Sequence, residues 1–151
     1  MQARMKHPAF VVPDAFGALM TFGKLAQAGL DPRLLALVHL RASQINGCAF
    51  CVDMHARELE KAGEKNQRIF GVSAWRDSPY FSDAERAALA LTEAVTRLSD
   101  REDPVPDDVW KEATKHFPEK EISVLLLTIA TVNLWNRLNV ATAQVAGSYP
   151  T

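Results

Sequence analysis

The sequence predicts an all-α, single-domain protein built from about six to eight helices. Apolar residues recur at helical spacing along most of the chain, and the alternation typical of strands is hard to find. Turn and cap signals divide the chain into segments of helix length. The 151 residues are most simply one domain, 1–151, because that length buries a continuous core without a second unit.

Four helices are predicted in the N-terminal half. Asp14 is the expected cap of the first, and Gly29 its stop. The second follows Asp31 and Pro32, since Asp caps a helix and Pro suits its first position. The turn-forming pair Asn46 and Gly47 ends it and places Cys48 at or just inside a third helix. The predicted bounds are 14–28, 32–46, 48–63 and 65–71.

Three helices are predicted in the C-terminal half. Ser82 and Glu85 have the spacing of a capping box, which opens a helix that ends near Asp100. Glu93 in this helix is expected to be a solvated charge. The core stripe of this helix is predicted to be Ala88, Leu91, Val95 and Leu98. The two later helices are predicted over 107–116 and 119–145.

The last predicted helix carries apolar residues on nearly every side between Ile122 and Val140. A helix that is hydrophobic all round is buried all round. One small domain can hardly cover all of its sides, so part of this helix, or the helix at the start, is expected to pack against another copy. The sequence therefore predicts a homo-oligomer.

Composition excludes several classes of partner. The net charge is −1, and the Lys and Arg residues are spread along the chain, so no basic face for nucleic acid is expected. The N-terminus has no apolar signal segment, and the apolar stretch 123–135 is too short and too polar to span a bilayer. We therefore expect a cytoplasmic protein with no membrane partner.

The only two cysteines, Cys48 and Cys51, lie three positions apart and are followed by His55. In a helix these three residues share one face near the positive end, which favours thiolate. His55 lies four positions after Cys51 and is placed to take its proton. In a reducing compartment such a pair is more often catalytic or metal-binding than a structural disulfide.

Zinc remains an alternative at this point. Structural zinc usually takes four ligands, and the chain has no further cysteine, with only His7, His39 and His116 beyond the motif. A catalytic zinc held by Cys48, Cys51 and His55 satisfies the ligand count, but all three side chains would have to turn inward from less than two helical turns. A pair of buried small hydrophobes is the other alternative.

Residues 37–55 closely resemble the core of the alkylhydroperoxidase AhpD-like branch of the carboxymuconolactone decarboxylase family. Segments 75–78, 81–89 and 133–137 resemble the same branch. The resemblance implies an all-helical AhpD-like domain with its redox motif at 43–55, assembled as a trimer or hexamer. It also implies peroxidase and disulfide-reductase activity through the paired cysteines, with no cofactor.

The resemblance assigns unequal roles to the site residues. Cys51 matches the cysteine that attacks peroxide, Cys48 the one that resolves the sulfenic acid, and His55 the histidine of the motif. The implied substrate is a hydroperoxide or a disulfide. The implied reductant is an external dithiol, which in the best-known members is a lipoyl-bearing protein.

One departure from the family pattern concerns the proton supply. Family members with the full motif carry a glutamate twelve positions before the first cysteine, and that position is Ala36 here. His39 and Ser43 follow on the same helix and are the candidates for a proton relay, although an exposed histidine and a structural serine are equally consistent with the pattern. Phe50 replaces a histidine of some members and is expected to pack beside the thiols.

Two other functions remain open. The missing glutamate is consistent with a redox-sensing or binding protein that has kept the dithiol but turns over slowly. A lyase acting on a muconolactone is the second, although those family members characteristically lack the cysteine pair.

Overall fold

The computed structural model describes residues 1–149, and over these residues the chain folds into eight α-helices and two short 3-10 helices with no strand. The all-α prediction is confirmed. Positions 150 and 151 of the predicted domain lie outside the described residues. The α-helices are α1 (Pro8–Val11), α2 (Ala15–Ala26), α3 (Pro32–Ile45), α4 (Ala49–Lys61), α5 (Asn66–Gly71), α6 (Asp83–Thr96), α7 (Asp107–His116) and α8 (Glu119–Ala141).

The largest differences from prediction lie at the two ends of the chain. Helix α1 was not predicted, because its four residues are too few to show a period, and His7 caps it by accepting a hydrogen bond from the Ala9 amide. Asp14 precedes α2 as expected, but its backbone is left-handed, with φ of 62°, and its side chain makes no cap bond. Helix α8 ends at Ala141, not at Val145.

Helix α3 is the centre of the fold and makes its most extensive contacts with α4, α6 and α8. Asp31 caps it as predicted, accepting a hydrogen bond of 2.8 Å from the Arg33 amide. Gly47 has a φ of 65°, a left-handed conformation that costs a glycine little, and it turns the chain from α3 into α4. The two helices that carry the motif are therefore adjacent in space as well as in sequence.

Two clusters of buried apolar residues form the core on either side of α3. Ala36 belongs to the first cluster, so the position of the expected relay glutamate is filled by an apolar contact. The first cluster contains Ala36, Leu37, Leu40, Leu59, Ile69, Val72, Trp75, Phe81 and Leu89. The second contains Val38, Ala87, Ala88, Leu91, Ala113, Phe117, Ile122, Leu125 and Ile129.

Helix α6 has the predicted capping box, in which Ser82 and Glu85 each bond the other's backbone amide. Of its predicted core stripe, Ala88 and Leu91 are fully buried, whereas Leu98 lies beyond the helix and is 54% exposed. The prediction for Leu98 was wrong because the helix stops at Thr96 and the chain continues as a 3-10 turn.

The prediction that Glu93 is solvated was also wrong, since its side chain is buried at 2% exposure. Its carboxylate accepts hydrogen bonds of 2.8 Å from Arg41 Nε and Trp75 Nε1, and it pairs with Arg76. Burial raises the pKa of Glu93, but the hydrogen bonds from Trp75, Arg76 and Arg41 outweigh it and leave the pKa lowered. Through these bonds the ionised carboxylate connects α6 to α3 and to the segment after α5.

Helix α8 crosses the domain and buries only part of its surface. Leu125 and Ile129 are fully buried, whereas Leu127 and Leu134 remain substantially exposed. By length and composition α8 would suffice to span a membrane, but half of its most apolar window is buried inside the domain, as in a core helix. The exposed leucines leave the predicted contact with another copy of the chain as a prediction.

Candidate active site

The cysteine motif lies where the end of α3, the start of α4 and the second half of α8 meet. Cys48 is the N-cap of α4, with extended backbone angles of φ −83° and ψ 90°. Its sulfur accepts a hydrogen bond of 3.3 Å from the Cys51 amide. Cys48 is therefore just outside the helix, which corrects the expectation that Cys48, Cys51 and His55 form one helical column.

Cys48 and Cys51 are joined as a disulfide, with their Cα atoms 5.3 Å apart. Each residue is only 1% exposed. Asn139 of α8 donates a hydrogen bond of 3.3 Å to the sulfur of Cys51. The fold thus brings the two sulfurs into bonding contact and directs one polar donor at Cys51.

His55, four residues after Cys51, lies on the same face of α4 as that cysteine. Its Nδ1 is 2.7 Å from a carboxylate oxygen of the half-exposed Glu58. When a carboxylate accepts the Nδ1 proton of a neutral imidazole, Nε2 is left as the basic nitrogen. Glu58 can therefore set the tautomer in which His55 accepts a proton.

His39 of α3 packs against His55, with ring centroids 4.7 Å apart, and is 8% exposed. Burial, followed by the nearby charge of His55, lowers the pKa of His39 from 6.5 to about 3. His39 is therefore neutral near pH 7. Of the two alternatives that the sequence left open for this residue, the exposed surface histidine is wrong.

Ser43 is completely buried but lies in a different set of contacts. Its hydroxyl accepts a hydrogen bond of 3.0 Å from Asn136. Asn46 donates to Asn136 at 2.8 Å and to Asn133 at 3.0 Å. These amide hydrogen bonds connect the turn before Cys48 to α8. No hydrogen bond joins Ser43 to His55 among the described residues.

The sequence did not indicate Glu58 and Asn139 as site residues. Glu58 lies three positions after His55, so helical spacing alone would have identified it. Asn139 lies 88 positions from Cys51, and no local pattern reveals a contact made only when α8 packs across α4.

The sequence suggested Cys48, Cys51 and His55 as possible zinc ligands, but the fold brings together a different set of potential ligands. Cys48 and Cys51 are bonded to each other. Instead, donor atoms of His39, His55 and Glu58 lie within 4.8 Å of one another.

The C-terminal segment covers the outer side of the motif. The Tyr149 hydroxyl donates a hydrogen bond to Asp53, and its ring packs edge-on against Phe50 at 5.0 Å between centroids. Phe50 therefore packs against an aromatic ring at the motif, as a hydrophobic neighbour. Two surface depressions of the described residues, about 560 and 230 Å³ in volume, include none of the site residues.

An all-helical domain with a disulfide pair at a helix N-terminus and a buried histidine pair beside it defines a dithiol protein of the AhpD-like fold. Residues 13–94 match the carboxymuconolactone decarboxylase family, and the chain belongs to that family. The predicted family resemblance is confirmed.

Curated relatives support the same assignment at different coverage. The chain is 34% identical over 139 residues to the uncharacterized protein YdfG of Bacillus subtilis, covering 91% of this chain and 93% of that protein. It is 42% identical over 45 residues to the alkyl hydroperoxide reductase AhpD of Coxiella burnetii, covering 30% of this chain and 25% of that protein. The likeness to AhpD is therefore limited to one segment.

Solved structures share the whole fold. A protein of unknown function from Agrobacterium tumefaciens, ATU0492, described as a candidate antioxidant defence protein AhpD, superposes with a TM-score of 0.90 at 38% identity. The match covers 98% of this chain and 100% of that one. The debrominase Bmp8 superposes with a TM-score of 0.80 at 19% identity, covering 90% of this chain and 73% of that one, which shows the fold alone.

Proposed function

We propose that this protein is a cysteine-based peroxidase of the AhpD type that reduces hydroperoxides, or disulfides, through Cys48 and Cys51. The observation that carries the proposal is the disulfide between these residues at the N-terminus of α4. A helix N-terminus favours thiolate, and a second thiol in bonding contact gives the oxidised sulfur a partner. Family membership and the likeness to AhpD support the same chemistry.

In the proposed reaction the Cys51 thiolate attacks an oxygen of the hydroperoxide. The O–O bond breaks, the alcohol leaves with a proton, and Cys51 becomes a sulfenic acid. The Cys48 sulfur then attacks the Cys51 sulfur, an S–S bond forms, and water leaves. An external dithiol finally returns two electrons and two protons to the pair and becomes a disulfide itself.

The surroundings of the two sulfurs support unequal roles. Asn139 donates to the Cys51 sulfur, and such a donor stabilises a thiolate relative to a thiol. His55 is on the same face of α4, with Nδ1 directed at Glu58, so Nε2 is the nitrogen that accepts the Cys51 proton. In this scheme His55 later passes that proton to the leaving alkoxide.

His39 is the better of the two relay candidates. Its ring contacts that of His55, whereas Ser43 bonds Asn136 in the amide network. A neutral imidazole both accepts and donates a proton, and a ring nitrogen of His39 lies within 4.8 Å of one of His55. A bridging water would therefore let the two rings exchange a proton without adding a second positive charge. This pairing would replace the glutamate that is absent at Ala36.

The partners are proposed from the same chemistry. The reductant is a dithiol carrier, such as a lipoyl-bearing protein, and no cofactor is required because the electrons pass through the cysteine pair. A cytoplasmic setting would keep the pair reduced between turnovers. We propose that the exposed apolar side chains of α1, α2 and α8 pack between copies in a trimer or hexamer; they include Phe10, Phe16, Met20, Phe22, Leu25, Leu127 and Leu134.

A redox sensor with slow turnover is the second candidate, and Ala36 is the observation that favours it. Ala36 lies in an apolar cluster, so no carboxylate feeds protons to the thiols from that position. A sensor would form the same disulfide once for each oxidant molecule but would be reduced and reoxidised slowly.

The test is consumption of an alkyl hydroperoxide in the presence of excess dithiol by the wild type, Cys51→Ser and Cys48→Ser. The wild type should turn over many times, and Cys51→Ser should be inactive because it lacks the attacking sulfur. His116→Gln, which changes a surface histidine of α7, is the control and should retain full activity. Equal rates for wild type and Cys51→Ser would contradict the proposal, and a single slow turnover by the wild type would favour the sensor.

A further inference from the structure

Three side chains beside the disulfide form a group with the composition of a metal site. Donor atoms of His39, His55 and Glu58 lie within 4.8 Å of one another. Two imidazoles and one carboxylate are a common three-residue ligand set for zinc in proteins, with the fourth position left open. The ligands come from two helices, since His39 lies on α3 and the other two on α4.

His39 has a free coordinating nitrogen. It is nine-tenths buried, and neither of its ring nitrogens makes a hydrogen bond to any residue in the described range 1–149. No fully enclosed side-chain nitrogen or oxygen in that range lacks a partner, so the unpaired nitrogens of His39 retain access to solvent. A buried imidazole nitrogen that has no hydrogen-bond partner and lies beside a second imidazole is available to bind a small cation.

The charges of the group also fit a cation. Metal ions bind histidine through a deprotonated ring nitrogen, and His39 and His55 each offer one to the group. Glu58 supplies one negative charge at 2.7 Å from His55 Nδ1, and its half-exposed side chain opens the group to solvent.

We propose that His39, His55 and Glu58 form a binding site for one divalent transition-metal ion, with Zn²⁺ the best fit to this ligand set. The site is separate from the sulfurs, which are bonded to each other. If the proposed peroxidase function holds, the ion acts as an inhibitor. With the ion on Nδ1 of His55, Nε2 carries the proton and cannot accept one from Cys51.

The test measures Zn²⁺ binding to the disulfide form of the protein, because thiolates would otherwise compete as ligands. Free thiols are first titrated to zero, and Zn²⁺ is then followed by calorimetry and Co²⁺ by its visible absorption. The variants are His39→Gln and Glu58→Gln. Because the Glu58 side chain is half-exposed, its replacement is expected to leave the fold unchanged. Glu112→Gln removes the carboxylate of a surface His and Glu pair on α7, 3.3 Å from His116, and is the matched control.

The expected result is one ion per chain in wild type and Glu112→Gln, with affinity weakened by about tenfold or more in both site variants. The Co²⁺ spectrum should show nitrogen and oxygen ligands without a thiolate band. Binding of equal strength in Glu58→Gln, or no binding at millimolar Zn²⁺, would overturn the proposal. The same titration is repeated on the reduced protein. Binding that occurs only in the reduced form and is lost in Cys48→Ser would assign the ion to the thiols and would also overturn the proposal. None of these outcomes depends on peroxidase activity.

Discussion

The imidazole rings of His39 and His55 lie 4.7 Å apart, centroid to centroid, and are inclined by 34°. Two buried imidazoles at this separation cannot both be protonated without strong repulsion. Burial first, and this contact second, therefore lower the pKa of His39 and keep it neutral beside a histidine that faces both Glu58 and the disulfide-bearing start of α4. It also gives His39 a place in the site that the sequence offered only as one of two alternatives.

His39 should make the folded protein less stable as the pH is lowered. The pKa of His39 is lowered from 6.5 to about 3, so between these values the unfolded chain binds a proton that the folded chain does not. Stability is therefore greatest above pH 6.5 and decreases as the pH falls, by at most about 1.4 kcal/mol per pH unit. Urea unfolding of wild type and His39→Gln between pH 7.5 and about 5 should show a steeper decline in the wild type.

That experiment compares how steeply the free energy of unfolding changes with pH in the two proteins, and not how stable each one is. Carboxylates with lowered pKa values, such as Glu93, also destabilise the fold in acid, but only near and below their ordinary pKa of 4.5. They titrate equally in both proteins. Parallel pH profiles for wild type and His39→Gln would show that His39 does not titrate abnormally.

Replacing Glu93 by glutamine should destabilise the fold by about 3 kcal/mol, because Arg41 is left as a nearly buried charge without its carboxylate. The measurement is the free energy of unfolding at pH 7. Glu112→Gln removes a carboxylate of similar type from an exposed pair with Lys115 and should leave stability unchanged. A Glu93→Gln protein as stable as this control would show that the buried ion pair contributes nothing.

Replacing Asn139 by leucine should raise the pKa of the Cys51 thiol in the reduced protein. The side chain donates to that sulfur, and one hydrogen bond is worth about 1 kcal/mol, or somewhat under one pKa unit. The measurement is the pH dependence of Cys51 alkylation in a Cys48→Ser background, where a single thiol reacts. An unchanged midpoint would mean that the amide does not stabilise the thiolate.

Introducing a charge on the exposed apolar side of α2 should disrupt the assembly. Phe22 is exposed in the single chain, and Phe22→Glu would bury an unpaired carboxylate if that side packs against another copy. Light scattering should show a trimer or hexamer for the wild type and smaller species for the variant. Lys111→Glu on α7 is the charge control and should keep the wild-type mass; a monomeric wild type would contradict the oligomer proposal.

Local signals in the sequence predicted most of the helices. Asp31, the turn at Gly47 and the Ser82 capping box act over a few residues, so their effects are readable without tertiary structure. The family resemblance of residues 37–55 was also carried by contiguous sequence.

Features that depend on packing between distant segments were missed. Glu93 was expected to be solvated because its two arginine partners lie on other segments of the chain. Asn139 meets Cys51 only after α8 has packed across α4, and no periodicity encodes that contact. Helix α1 is too short to show a repeat, and the side-chain cap from His7 is visible only in the folded chain.

The central claim, that Cys48 and Cys51 act together as a redox pair, is tested most directly by treating the reduced protein with one equivalent of hydroperoxide. Free thiols and the intact mass are measured before and after. The account predicts that both thiols disappear together and the chain becomes lighter by two hydrogens, whereas Cys48→Ser stops with one added oxygen on Cys51. Two thiols that persist after the peroxide is added, with an unchanged mass, would contradict it.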